Sequence, residues 1–373
     1  MNNTKPCRWG ILGTANIARK NWQAIRDAAN AQLVAVASRE SKKATRFIAE
    51  CQEQVPFSTI PDALGNYESL LSRPDIDAIY LPLPTGLRKE WAIRAANAGK
   101  HILVEKPVGC TVADAEEIVA ACDRNRVQFM DGVMFAHSRR LQRMRQTLDD
   151  NYSIGDIRRI TSHFSFLGDD DFFRTNMRAD SALEPLGCLG DLGWYCIRFS
   201  LWAMGEQLPV QVTGRIHAEM SGTSTGPGVP TEFSGELFFE GGVSASFYCS
   251  FRAELAQYAI VNGTRGYLHV PDFVLPYSGA QTRFSVVQSD SPTHGCRFDM
   301  NENRTETQVE EPSNNAPGSQ ESNLFRDFSA LVLAGKIDHS WAEMALKTQR
   351  VANACLESAR TDSTPVRIAN HWH

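Results

Sequence analysis

Three side chains in this chain have the types and spacing to move a proton beside a bound ligand. Lys106 stands in Glu105-Lys106-Pro107, directly after the apolar run His101-Ile102-Leu103-Val104. A lysine that follows a buried strand in an alternating α/β sequence lies at the carboxyl edge of the sheet, where open sheets of this kind bind ligands. There its ammonium can hold a substrate oxygen or tune a neighbouring acid by its charge. Asp191 and Tyr195 are four positions apart in Gly190-Asp191-Leu192-Gly193-Trp194-Tyr195. If residues 190–204 form a helix, the two share one face and both can point into the same cleft. A phenol is a poor base at neutral pH, so a tyrosine that takes up a proton needs a cation nearby to favour the phenolate.

The elements that must position these groups begin with a glycine turn. Cys7-Arg8-Trp9-Gly10-Ile11-Leu12 reads as a short strand, and Gly13-Thr14-Ala15-Asn16-Ile17-Ala18 as the turn into a helix. Gly13 permits the tight turn. Ala15 and Ala18 keep side chains small where backbone meets pyrophosphate and helix meets sheet. The helix starting near Asn16 offers free N–H groups to phosphate. Such a turn also occurs as an ordinary strand–helix connection; the second strand, Gln32-Leu33-Val34-Ala35-Val36-Ala37, strengthens the dinucleotide reading by its place about twenty residues on. That strand ends in Ser38-Arg39, where an acid would hold the ribose 2′-hydroxyl of NAD. An arginine there, with Lys42-Lys43 close by, suits the 2′-phosphate of NADP; the alternative is a solvated loop and helix start.

A further strand, Ile76-Asp77-Ala78-Ile79-Tyr80-Leu81, breaks at Pro82-Leu83-Pro84-Thr85-Gly86. Two prolines cannot continue a central strand, so they set a rigid loop at the same edge, near where a nicotinamide would lie. Leu81, Pro82, Thr85, Glu105 and Lys106 thus join Gly13, Thr14, Ala15, Asn16, Ile17, Ser38 and Arg39 as the cofactor-binding set. A helix around 114–124 and the strand Val127-Gln128-Phe129-Met130 complete a β-α-β-α order, which implies a doubly wound, mostly parallel sheet. The second half changes period. Arg158-Arg159-Ile160-Thr161-Ser162-His163-Phe164-Ser165-Phe166 alternates as a strand does, as do 236–239, 243–251 and 258–263, with hairpin turns at Gly241-Gly242 and at Gly263-Thr264-Arg265-Gly266. One-sided alternation means that one face packs on helices and the other needs a cover, from local loops or a second subunit.

These stretches resemble the Gfo/Idh/MocA oxidoreductases. The resemblance rests on residues 10–18, Pro82-Leu83-Pro84-Thr85, Ala98-Gly99-Lys100-His101-Ile102-Leu103-Val104-Glu105-Lys106-Pro107 and Gly190-Asp191-Leu192-Gly193-Trp194-Tyr195, and it covers nearly the whole chain. Within the family the chain looks closest to the branch of dimeric dihydrodiol dehydrogenase and NADP-dependent xylose dehydrogenase, and to plant oxidoreductases of unassigned activity. It implies an N-terminal Rossmann-like domain, residues 1–136, and a C-terminal α/β domain on a large, mostly antiparallel open sheet, residues 137–373, that binds substrate and pairs subunits into a homodimer or homotetramer. By resemblance, Tyr195 is the general acid/base, Lys106 lowers its pKa or holds the substrate oxygen, and Asp191 orients Lys106 or the substrate. Many family members carry histidine where Arg88 stands, so a role for that histidine does not transfer.

Other candidates have two readings each. His137, at the expected domain junction, is either a substrate contact or a satisfied buried histidine. Arg178 binds substrate or cofactor phosphate, or forms a structural ion pair. Asp169-Asp170-Asp171 is an exposed acidic turn or part of a sugar pocket; with no His or Cys beside it, no metal is expected. His371 and His373, among the last residues, are expected to fall in a mobile tail.

The 373 residues suffice for two domains, each with its own core. A net charge of −5 gives no reason to expect nucleic acid or an anionic membrane as partner. Nine cysteines without a C-x-x-C pair point to a reduced, cytoplasmic setting. No signal-peptide stretch or bilayer-spanning segment is read. The sequence therefore points to an NADP-dependent dehydrogenase or reductase acting on a sugar, polyol or related carbonyl. Two alternatives stay open: an NAD-dependent glycosidase of the same fold, and a dinucleotide-sensing regulator without catalysis.

Overall fold

The computed structural model describes residues 5–169, 172–173, 181–220, 228–313 and 316–369. The chain divides into two compact units, each taken over its described residues: Met1–His137, Ala182–Pro185 and Asn314–Gln349 in the first; Ser138–Ser181, Leu186–Ser313 and Arg350–His373 in the second. The division is not one cut at 136/137, because two later segments supply contacts that the first unit needs.

The first unit alternates β1 (Cys7–Leu12), α1 (Asn16–Asp27), β2 (Ala31–Ala37), α2 (Ser41–Gln54), β3 (Asp62–Leu64), α3 (Tyr67–Leu71), β4 (Ala78–Leu81), α4 (Thr85–Asn97), β5 (His101–Val104), α5 (Val112–Asn125) and β6 (Phe129–Asp131). The six strands pair in the order β3-β2-β1-β4-β5-β6, every pair parallel. The order reverses between β1 and β4, the switch point at which such sheets open a crevice. Strand residues are buried on both faces, as helices on both sides require: Ala78, Ile79, Tyr80 and Leu81 are all fully buried. The helix Gln320–Leu333 returns to cover one face. Its Phe325 and Phe328 pack on Trp9 with ring centroids 5.1 and 5.0 Å away, and Ser329 accepts the Trp9 indole N–H at 3.0 Å.

The second unit opens with α6 (Arg139–Asp149) and is built on a nine-stranded sheet. Its strands are β7 (Ile157–Leu167), β8 (Gln211–Met220), β9 (Val229–Phe238), β10 (Ser244–Ser250), β11 (Arg252–Gly263), β12 (Tyr267–Val270), β13 (Gln281–Asp290), β16 (Asn301–Glu310) and β17 (Val366–Arg367), with a small hairpin of β14 (Thr293–His294) and β15 (Arg297–Phe298) outside it. The order is β16-β13-β12-β11-β7-β10-β9-β8-β17. Only β7 and β10 pair parallel within it, so the sheet is mixed and mostly antiparallel. Both expected hairpins form, Phe238 opposite Ser244 and Asn262 opposite Tyr267. Along β10, Ala245, Phe247 and Cys249 are buried while Ser244, Ser246 and Tyr248 are half-buried. The buried side carries the helix Trp194–Ala203: a Cβ on Gly193, just before it, would stand 3.1 Å from the Cys249 sulfur. On the other side, His163 lies between Tyr248 and Tyr258, with ring centroids 4.9 and 5.2 Å away, and the Tyr248 hydroxyl donates to Glu232 at 2.6 Å.

Candidate active site

Four of the expected cofactor positions follow directly on the last residue of a parallel strand: Gly13 after β1, Ser38 after β2, Pro82 after β4 and Glu105 after β5. Parallel pairing therefore gathers them at one edge of the first unit. Gly13 has φ +117°, in the region that favours glycine, and its N–H donates to Ala37 O at 2.9 Å. A Cβ there would also meet Leu83 Cδ2 at 3.0 Å, so the Pro82-Leu83-Pro84 loop sits on the glycine turn. Ala15 precedes α1 without a side-chain cap, which leaves the first N–H groups of that helix to an external acceptor. Thr14 and Ala15 are half-buried, and Asn16 and Ile17 exposed. Ser38 is buried and Arg39 exposed beside it, whereas Lys43 is paired with Glu40 at 2.6 Å. A glycine turn leading into an uncapped helix, with an exposed guanidinium one strand away, fits a dinucleotide with an added phosphate.

Other residues of the set have partners of their own. Leu81 is fully buried in β4. Thr85, the first residue of α4, donates its N–H to Glu184 Oε1 at 3.0 Å and its hydroxyl to Glu184 Oε2 at 2.6 Å. Gly86 N–H donates to Leu183 O at 2.9 Å, and a Cβ on Gly86 would overlap Ala182 O. Segment Ala182–Pro185 is thus the cap of α4, supplying the carboxylate that Pro84 cannot. The Glu105 carboxylate is buried and accepts the Tyr80 hydroxyl at 2.6 Å; Asn21 donates to the same tyrosine oxygen at 2.6 Å. Burial, then the adjacent Glu105, push the Tyr80 phenol well above its ordinary value, so it stays a proton donor in this bond.

Lys106 is 9% exposed, and the Lys106-Pro107 peptide is cis. The turn around it is held from several sides. Glu105 is fixed as described, the Arg88 guanidinium donates to Pro107 O, and Gly109 N–H donates to Gln349 Oε1 at 3.1 Å.

In the second unit, residues 190–204 are not one uniform α-helix. A π turn, Leu189–Gly193, carries Asp191 and leads into the α-helix Trp194–Ala203 that carries Tyr195. The turn packs closely: a Cβ on Gly193 would stand 2.9 Å from Leu189 Cδ1 and 3.1 Å from Cys249 Sγ, and such wide turns recur at functional sites. Asp191 is half-buried, in a run whose other members from Leu189 to Ser200 are buried. Tyr195 is 6% exposed and meets Phe164 of β7 edge-on at 5.8 Å.

His137 is a buried, partnered histidine in the first unit. Its Nδ1 lies 2.9 Å from Asp327 Oδ2, its ring stacks on Trp341 at 4.6 Å, and its side chain is 1% exposed. Burial raises the Asp327 pKa, but His137 and Arg326 together hold it below the usual carboxylate range. Arg178, Asp170, Asp171, His371 and His373 lie outside the described residues. Asp169 is exposed and accepts the Phe172 N–H at 2.7 Å. Among the described residues no cluster of His, Cys, Asp and Glu is arranged to hold a metal ion, and no helix is long and apolar enough to cross a membrane.

Sequence reasoning missed Asn21, Glu184 and Gln349 and passed over Tyr80 and Arg88. Of these, only Arg88 carried a local signal, a cation four residues after a Pro-x-Pro loop.

Comparison with known proteins agrees with this architecture. Residues 7–133 match the GFO/IDH/MocA oxidoreductase family, NAD-binding Rossmann fold, and residues 141–269 match the GFO/IDH/MocA C-terminal domain. The chain is 30% identical over 302 residues to D-xylose 1-dehydrogenase (NADP(+)) 2 of Haloferax volcanii, covering 78% of this chain and 86% of that protein. It is 30% identical over 273 residues to trans-1,2-dihydrobenzene-1,2-diol dehydrogenase of Mus musculus, covering 72% and 76%. A shorter match, 38% identical over 200 residues, is to dTDP-3,4-didehydro-2,6-dideoxy-alpha-D-glucose 3-reductase of Saccharopolyspora spinosa, where it spans 52% of this chain and 55% of the reductase. The aldose-aldose oxidoreductase of Caulobacter crescentus shares the fold, with a TM-score of 0.78 over 98% of this chain and 100% of that one at 22% identity. The chain belongs to the GFO/IDH/MocA family and is an NAD(P)-dependent oxidoreductase.

Proposed function

We propose that this protein is an NADP-dependent dehydrogenase or reductase of a sugar, polyol or related carbonyl compound. The observation that carries this reading is the edge of the first unit's sheet, which an uncapped glycine turn, an exposed Arg39 and a lysine whose flanks are pinned share at the ends of β1, β2 and β5. The names of the relatives support the choice of substrate class and cofactor: one is an NADP(+) xylose dehydrogenase, another an aldose oxidoreductase.

Residues 13–17 would hold the pyrophosphate through backbone N–H groups, Ser38 and Arg39 the 2′-phosphate, and the Pro82 loop the nicotinamide side. When bound, the cofactor exchanges hydride with a substrate carbon. The remaining work falls to three side chains. Tyr195 gives a proton to, or takes it from, the substrate oxygen. Lys106 stabilises the phenolate by its charge and offers hydrogen bonds to that oxygen. Asp191 orients Lys106 or a substrate hydroxyl. In the second unit, the half-buried sheet face around Tyr248 and Tyr258 would pair subunits, and the working compartment is the cytoplasm.

Spectrophotometric assay of NADP(+) reduction against a panel of aldoses and polyols tests the activity. Net formation of NADPH supports a dehydrogenase. Hydrolysis of a glycoside without net turnover would favour the glycosidase reading, and dinucleotide binding without turnover of any carbonyl the regulator.

A further inference from the structure

Arg88 is a cation in an unusual setting. It sits in the first turns of α4, is 6% exposed, and forms no ion pair among the described residues. A buried charge without a counter-ion costs free energy unless hydrogen bonds replace its hydration. Here two backbone carbonyls do so: Nε donates to Leu83 O at 2.7 Å, and Nη1 donates to Pro107 O. The acceptors lie on different loops, one after β4 and one after β5. A planar guanidinium holds its donors at a fixed spacing in one plane, so it can bridge these two carbonyls from Nε and Nη1; the compact ammonium of a lysine cannot reproduce that spacing.

Both loops lead to functional groups. Leu83 packs on the Gly13 turn, and Pro107 follows Lys106. The base of Arg88 is itself anchored, because Glu184 caps α4 three residues earlier at Thr85.

We infer that Arg88 is a positioning residue: it joins the Pro82-Leu83-Pro84 loop and the Lys106-Pro107 turn into one rigid piece, so that the phosphate-binding turn and the Lys106 ammonium keep a fixed relation. This rests on the reading of Lys106 as the partner of Tyr195. A displacement of about 1 Å at a reacting group costs roughly 10²-fold in rate, so kcat falls by that order when the bridge is lost.

The test compares the full-length wild type with Arg88→Met, Arg88→Lys and Lys106→Ala. Amide hydrogen exchange is followed over residues 82–87 and 105–109, and kcat/KM against pH with the best aldose of the panel and NADP(+). Arg88→Met is expected to speed exchange in both segments together while β1 and β2 keep their protection. It lowers kcat more than it raises the KM for NADP(+), and it moves the alkaline pKa of kcat/KM upward, as Lys106→Ala does. Arg88→Lys recovers only part of each effect. Faster exchange in one segment alone, or in neither, overturns the inference. So does a wild-type alkaline limb in Arg88→Met when Lys106→Ala has moved it, since Arg88 would then be structural only. If Lys106→Ala leaves the limb in place, the pairing of Lys106 with Tyr195 fails, and exchange alone decides whether Arg88 joins the loops. Should Arg88→Met not fold, Arg88→Gln, which keeps a single donor nitrogen and no charge, takes its place in both measurements.

Discussion

Glu184 closes the N-terminus of the helix that starts at Thr85: one carboxylate oxygen accepts the Thr85 N–H at 3.0 Å and the other its hydroxyl at 2.6 Å, across 99 positions of chain. Pro84 at the cap position has neither a side-chain acceptor nor an N–H, so the helix depends on a distant residue for its first turn. Losing such a cap costs about 1–2 kcal/mol. Glu184→Ala should lower the thermal midpoint by a few degrees, and Thr85→Val should add little to it, because both delete the same contact. A double mutant whose loss equals the sum of the two single losses would show that the pair is not one unit.

Stability should also fall on mild acidification, through His101. The ring opens β5, and its Nδ1 accepts the Gln128 N–H at 2.9 Å, which a proton on that nitrogen would abolish. Burial lowers its pKa from 6.5, with Asp77 opposing in part. A base whose pKa is lower folded than unfolded stabilises the fold fully above the unfolded value, and that contribution is lost as pH falls from about 6.5 toward the folded value. The thermal midpoint of wild type should therefore drop between pH 7 and pH 5.5 more than that of His101→Asn. Equal slopes would remove His101 from the explanation.

NADPH should bind more tightly than NADH, and Arg39→Ala should weaken NADPH by roughly tenfold or more while leaving NADH nearly unchanged, as expected for a charge-assisted phosphate contact. Titration calorimetry with both cofactors checks this; tighter NADH binding by the wild type would reverse the assignment.

The open face of the large sheet should pair subunits. Light scattering at micromolar concentration should give a multiple of 41.4 kDa, and Ile260→Arg, half-buried on that face and opposite Thr161, should release monomer. A wild-type mass of one chain would exclude the pairing.

Much of this architecture could be read from the chain because its signals are local. The alternation of buried strands and helices, the glycine turn at Gly13, the strand ending in Glu105-Lys106-Pro107 and the period-two strands after residue 157 each lie within a window of a few residues. What escaped is what joins distant windows. Glu184 capping Thr85 has no periodicity to announce it, nor has Asp327 meeting His137 across 190 positions. Tyr80 reads as a strand residue because its ring is buried; that its hydroxyl holds Glu105 depends on the pairing of β4 with β5. The π turn at Leu189–Gly193 looks helical in sequence, and the close approach of Gly193 to Cys249 of β10 joins two distant windows.

Tyr195 is the group proposed to move the substrate proton. Tyr195→Phe keeps the ring that packs edge-on against Phe164 and removes only the hydroxyl. General acid/base catalysis contributes about 10²–10⁴ in rate. The most direct measurement is therefore kcat of Tyr195→Phe on the best sugar substrate, beside its dissociation constant for NADPH. With Tyr195 as the acid/base, kcat falls by that order while NADPH affinity is unchanged; wild-type kcat in the variant would contradict the assignment and leave Tyr195 a core residue.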